Sequence, residues 1–237
     1  MFDSFSPPTP DTRPTITEIE AIWKEKVTCS RDGADAVTAI ETIINEKLAP
    51  GGIAISLTCA LPEDTALDWF LASGTLTEID FFYELFRTKG FKKALAKTER
   101  TLIPPKVKRD FKPRRSGFIA ESGVRRASGD LVKEDRFNFS VQSCFTQTGM
   151  LGADIDRAFA RPVINPNDVG DAGEAMSMAV AAADIMIAGN YRDGLCHLSP
   201  SGWAPWFQSV SWDRTYSYIQ HGTRTITLIF MTDSEPN

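Results

Sequence analysis

Apolar residues recur at helical spacing over Ile16, Ile19, Trp23 and Val27, and Thr15 with Glu18 supplies a capping box, so the pattern predicts a first helix running to about Thr28. A second is expected to open at Asp32, with Val37, Ile40, Ile44 and Leu48 on its apolar face and Pro50-Gly51-Gly52 as its stop. The run Ile53 to Leu61, β-branched at several positions and bounded by glycine and Pro62, reads as a buried strand. Asp64 to Ala72 is helical up to Gly74, and a second capping box, Thr75 with Glu78, leads into a helix carrying Ile79, Phe82, Leu85 and Phe86. Phe91 to Lys97 adds a further helical turn or two.

From Ile103 to Gly117 the periodicity breaks, with Pro104, Pro105 and Pro113 among basic residues, and a loop is expected. Phe118 to Arg126 and Phe137 to Gln147 read as strands, the second showing Phe137, Phe139, Val141 and then Ser143, Phe145 on alternating faces. Leu151 to Ala160 reads as a short helix. Asp171 with Glu174 caps a helix through Met176, Val180, Ala183 and Ile187, so uniformly small and apolar that central burial is expected. The chain then closes in a hairpin, Val210 to Ile219, a turn at Gln220-His221-Gly222, and Thr225 to Thr232, with both faces of the last strand apolar enough to be covered.

These elements make an α+β fold: N-terminal helices and a central Ala-rich helix packed on a mainly antiparallel C-terminal sheet. The organisation expected is a flexible segment over 1–14, rich in proline and without an apolar run, and a single domain over 15–237 with a basic loop near 103–117. A content of 42% hydrophobic residues supports a substantial core.

Charge changes the picture most. Between Arg87 and Arg126 stand fourteen Lys and Arg against Glu99, Asp110 and Glu121, a local balance of +11 in a chain whose net charge is −5. Such asymmetry points to an anionic partner, nucleic acid or an acidic protein surface as met by inhibitor and immunity-type proteins. The candidate binding residues are Lys106, Lys108, Arg109, Lys112, Arg114, Arg115, Arg125 and Arg126, with Phe86, Phe91, Phe111 and Phe118 interleaved where an exposed ring would stack on a base. The competing reading sets the cations against the acidic remainder of the same fold. Arg125-Arg126-Ala127-Ser128 also has the form of a basic-directed phosphorylation site.

Candidate chemistry is sparse, and the sequence leans away from an enzyme. The four cysteines, Cys29, Cys59, Cys144 and Cys196, are far apart and lack zinc-site spacing, so reduced thiols and a cytoplasmic location are expected, and the Asn138-Phe139-Ser140 sequon reads as chance. No apolar stretch spans a bilayer, no secretory leader opens the chain, no metal ligand set is recognisable, and no glycine-rich phosphate loop implies a cofactor. The alternative to a binding protein is a small intracellular hydrolase or transferase in which Cys196 is activated by His221 and oriented by Asp213. The aromatic cluster Trp203, Trp206, Phe207, Trp212, Tyr216 and Tyr218 is read first as cover for the terminal sheet and second as a binding platform.

Overall fold

A computed structural model describes residues 12–24, 27–31, 35–47, 53–102, 138–159, 171–192, 194–200, 203, 207 and 213–232. The helices are α1 (Ile16–Ile22), α2 (Asp35–Lys47), α3 (Thr65–Ser73), α4 (Phe81–Arg87), α5 (Lys89–Leu102), α6 (Cys144–Phe159) and α7 (Ala172–Met186). The strands are β1 (Thr28–Ser30), β2 (Ile53–Ala60), β3 (Ser140–Gln142), β4 (Leu195–Ser199), β5 (Arg214–Gln220) and β6 (Thr225–Thr232). They form one antiparallel sheet in the order β1-β2-β6-β5-β4-β3. The α+β expectation is met, but the sheet is not confined to the C-terminal half: β2 lies beside β6 along its whole length.

Strand alternation sends successive side chains to opposite faces, and here both faces are covered. On one side Ile55, Leu57, Cys59, Ile219, Ile226, Leu228 and Phe230 pack against residues of α1, α3, α4 and α5. On the other Ala54, Cys196, Leu198, Tyr216, Tyr218, Ile229 and Met231 pack against α2, α6 and α7. The first layer is aromatic, with Phe86 stacked on Phe91 at 4.5 Å between centroids and Trp203 edge-on to Phe230 at 5.0 Å. Trp203 is wholly buried and donates its indole N–H to Thr215 Oγ1 at 2.8 Å, so it and Phe207, Tyr216 and Tyr218 are core. Trp206 and Trp212 lie outside the described residues.

Polar side chains of α2 finish the sheet where β1 stops. β1 covers Thr58 to Ala60 of its neighbour, and among the described residues no strand pairs with the earlier edge groups of β2 on that side. Asn45 accepts from the Ala54 N–H and donates to its carbonyl, each at 2.8 Å. One turn earlier the buried Glu41 carboxylate accepts from the Ser56 N–H at 2.8 Å and hydroxyl at 2.6 Å, and its other oxygen pairs with Arg31. An i, i+4 pair on a helix thus meets an i, i+2 pair on a strand edge.

Several boundaries differ from expectation for local reasons. The Thr15–Glu18 capping box forms, but α1 ends at Ile22 because Thr28 to Ser30 is drawn into the sheet. The second box does not form: Thr75 bonds Ser73 instead, a 3-10 turn spans Leu76–Ile79, and Asp80 in the left-handed region starts α4. The strand expected through Gln147 ends at Gln142, because Ser143 accepts from the Thr146 N–H at 3.1 Å and caps α6. The Ala-rich α7 buries Ala175, Ala179, Ala182, Ala183 and Met186 yet exposes Met176, Val180 and Ile185, so it is an outer-layer helix rather than a central one.

Cys29 and Cys59, opposite each other in the β1–β2 register, are joined by a disulfide, which corrects the expectation of four reduced thiols. That bond withdraws the cysteine-based argument for a reducing compartment. No helix among the described residues is long and apolar enough to cross a membrane.

Gly90 marks the tightest approach between helix and sheet layer. A Cβ there would lie 1.9 Å from the Val27 carbonyl oxygen and 2.9 Å from its carbon, and both are backbone atoms. Helix propensity alone makes Gly90→Ala stabilising by about 1 kcal/mol, whereas forcing α5 off the Val27 backbone costs about 3 kcal/mol. The expected outcome is a lower urea midpoint for Gly90→Ala; a raised midpoint would show that α5 is not held against this segment.

Candidate functional site

The described part of the basic segment is α5, and its helical wheel divides cleanly. Phe91, Ala94, Leu95 and Thr98 are buried, while Lys89, Lys92, Lys93 and Lys97 are exposed. At 100° per residue the four lysines fall within an arc of about 140°, and the four buried positions lie within an arc of about 100° centred opposite. Phe91 anchors the inner side among Phe86, Trp203 and Phe230. The sequence signal was present at 91, 94, 95 and 98, but the helix runs well past the turn or two expected.

Arg87, the last residue of α4, stands two residues before Lys89 in sequence. It is exposed, pairs with Glu84 at 3.3 Å and lies 5.0 Å from the Tyr83 ring centroid. An exposed pair of this kind contributes well under 1 kcal/mol and leaves the guanidinium able to turn toward a partner. Tyr83 is also one wall of a cleft of about 240 Å³, lined by Thr77, Asp80, Phe81, Phe82, Asn138 and Phe139. An exposed acid on an apolar floor does not suit an anion, so the cationic face and the cleft are chemically distinct.

The remaining cationic candidates, Lys106, Lys108, Arg109, Lys112, Arg114, Arg115, Arg125 and Arg126, lie outside the described residues, as do Phe111, Phe118 and Ser128. Phe86 and Phe91 are fully buried, so base stacking by these two rings is corrected to a core role.

The proposed catalytic trio is not brought together. Asp213 precedes β5 and His221 follows it, which separates them by about 25 Å of strand. Asp213 is instead a buried acceptor for the Thr232 hydroxyl at 2.6 Å. Cys196 is opposite Tyr218, some three residues before His221, and faces the α6–α7 layer. Its sulfur lies 2.8 Å from that of Cys144, a pairing that a separation of 52 residues concealed. Among the described residues no group of three or more His, Cys, Asp or Glu is placed to hold a metal ion.

His197, which the sequence did not single out, is an unusual titratable group among the described residues. It is fully buried on the aromatic face, opposite Ser217 across the β4–β5 pair, with the Phe82 ring 5.1 Å away. Neither ring nitrogen, nor the Ser217 hydroxyl, finds a hydrogen-bond partner among the described residues. Burial pushes the imidazole down to about 4. A base needs an orienting acceptor and a route for its proton; among the described residues His197 has no such acceptor, and the Phe82 ring, stacked on Phe139 at 3.8 Å, packs against it. It is a neutral core residue.

Compared with protein-family models, with curated proteins and with solved structures, the chain shows no match to any of them.

The His197 environment fixes a pH dependence. The unfolded imidazole takes up a proton near pH 6.5, the folded one only near pH 4, so between those values the unfolded state binds more protons. Stability is full above about pH 6.5 and declines by about 3 kcal/mol as the pH falls to 4. Urea unfolding of wild type and His197→Leu across this range should show the acid decline reduced in the variant, with His221 unchanged in both. Identical pH slopes would mean that His197 does not govern the decline.

Proposed function

We propose that the chain is a non-catalytic binding protein that engages an anionic macromolecule, nucleic acid first and an acidic protein surface second, through the basic segment from Arg87 to Arg126. The observation that carries this reading is the division of α5 into a side locked in the aromatic core and a side bearing Lys89, Lys92, Lys93 and Lys97. A helix fixed by its inner face presents its cations without first having to be ordered, so less conformational entropy opposes association.

Lysines act as compact, mobile point charges, suited to a row of phosphates rather than to bidentate reading of base edges. With Phe86 and Phe91 in the core, the attraction rests on charge and counterion release. Binding is therefore strongly salt-dependent and only weakly sequence-selective. The segment continues in sequence through the eight cations from Lys106 to Arg126, while the rest of the chain carries a balance of −16. That acidic remainder repels an anionic partner from other faces and orients its approach.

The test is titration with single-stranded and duplex oligonucleotides at two salt concentrations. Wild type is compared with a variant carrying Gln at Lys89, Lys92, Lys93 and Lys97, and with another neutralised at Lys106, Lys108, Arg109, Arg114 and Arg115. Binding is expected at low salt, with the single-strand salt slope shallower by about 3 when the four helix lysines are lost. Binding indifferent to both variants, or absent at low salt, overturns the nucleic-acid reading and leaves the acidic protein partner, to be sought by pull-down.

A further inference from the structure

Four widely spaced cysteines resolve into two pairs. One is the Cys29–Cys59 disulfide; the other is Cys144 with Cys196, both free and buried, with their sulfurs 2.8 Å apart. Two sulfurs not bonded to each other rarely approach so closely, and the fold holds them there from two sides. Cys196 is fixed in β4 between Gln142 of β3 and Tyr218 of β5. Cys144 is the first residue of α6, a helix tied to the sheet by Gln147 donating to the Ser217 carbonyl at 2.7 Å and by the Tyr216 hydroxyl donating to Asp154 at 2.6 Å.

Gly194 completes the seat. Its carbonyl accepts from the Cys144 thiol at 3.1 Å, and a Cβ on it would come within 2.9 Å of that sulfur. A side chain at 194 would push the two sulfurs' surroundings apart. Both sulfurs are buried, yet Phe145, next to Cys144 in sequence, is 69% exposed and stacks on Tyr191 at 4.9 Å. Exchange therefore requires a local opening at the start of α6, whose first turn is exposed at Phe145 and Thr146.

From this geometry we infer that Cys144 and Cys196 are a redox-active dithiol that forms a second disulfide by exchange with a low-molecular-weight disulfide such as oxidised glutathione. The two sulfurs have different roles. The neutral Cys144 thiol donates to Gly194; when it ionises that bond is given up and Cys196 donates to it, an exchange that holds Cys144 below its usual range and that its place at a helix N-terminus assists. The same bond, with burial, holds Cys196 protonated.

Cys144 is therefore the attacking group. Its thiolate bonds to one sulfur of the external disulfide, the old S–S bond breaks, and one thiolate leaves and takes a proton from solvent. Capping Cys144 removes its negative charge from beside Cys196, which then gives up its proton and attacks Cys144 Sγ, expelling the second thiol. Two protein thiols are oxidised and one external disulfide is reduced to two thiols, so two electrons and two protons are accounted for. This inference is independent of the anion-binding reading and uses none of its residues.

The experiment equilibrates the full chain, with Cys29–Cys59 intact, in glutathione buffers of graded oxidised-to-reduced ratio. After acid quenching, free thiols are alkylated in denaturant and the peptides are mapped by mass spectrometry. The expected result is a peptide pair joined through Cys144 and Cys196, lighter by two hydrogens and released again by reduced glutathione. In Cys196→Ser a glutathione mixed disulfide should accumulate on Cys144, whereas in Cys144→Ser the Cys196 thiol should stay alkylatable. The inference is overturned if both wild-type thiols remain alkylatable at the most oxidising ratio, a result that needs no variant to fold. A mixed disulfide on Cys196 in Cys144→Ser would equally overturn the assignment of roles.

Discussion

The rest of the structure depends on an antiparallel sheet whose inner strands are buried on both faces. β5 and β6 show no solvent-facing alternation: from Thr215 to Ile219 and from Ile226 to Thr232 every side chain is buried. Each polar group on those strands then has to find a partner inside the protein or bear the cost of dehydration. Asp213 with Thr232 and Trp203 with Thr215 meet that demand. Ser217, and His197 opposite it on β4, do not, and His197 responds by remaining neutral. The two helical layers are consequences of the same demand, since a sheet this apolar on both sides is stable only when both are covered.

The two layers also divide the chemistry. The aromatic layer seats α5 and so displays the lysine face, while the small-residue layer brings Cys144 to Cys196. The sheet lies between them, with Cys196 and His197 adjacent in sequence but on opposite faces. A change at one residue reaches one layer directly and the other only through the strand.

Much of this was legible where a local pattern and its physical cause coincide. The C-terminal hairpin announced itself through β-branched alternation around a Gly-containing turn, and α2 through Val37, Ile40 and Ile44, all buried. The Thr15 box formed because nothing competes for Thr15, whereas the Thr75 box failed because Ser73 does. Pairings between distant residues were not legible. Cys29 with Cys59 is set by strand register, Cys144 with Cys196 by how α6 docks on β4, and the separation of Asp213 from His221 by the length of β5, none of which composition and spacing encode. The exposed stripe of α7 was missed because alanine is compatible with either side of a helix. The anionic-partner reading drew on charge alone; it is the wheel of α5 that turns a count of lysines into a face.

The side-chain cap that α2 places on β2 has a consequence for how copies of this chain coexist. An uncapped run of backbone donors and acceptors in Ile53 to Leu57, five largely apolar residues, would be a template for the strand of another molecule. Asn45 occupies the Ala54 groups and Glu41 the Ser56 N–H, and Glu41 sets a carboxylate where an intruding strand would need to lie. At the far edge β3 is only three residues long. Among the described residues both borders of the sheet are thereby blunted, and on the β2 side two polar side chains of a helix stand where a foreign strand would pair.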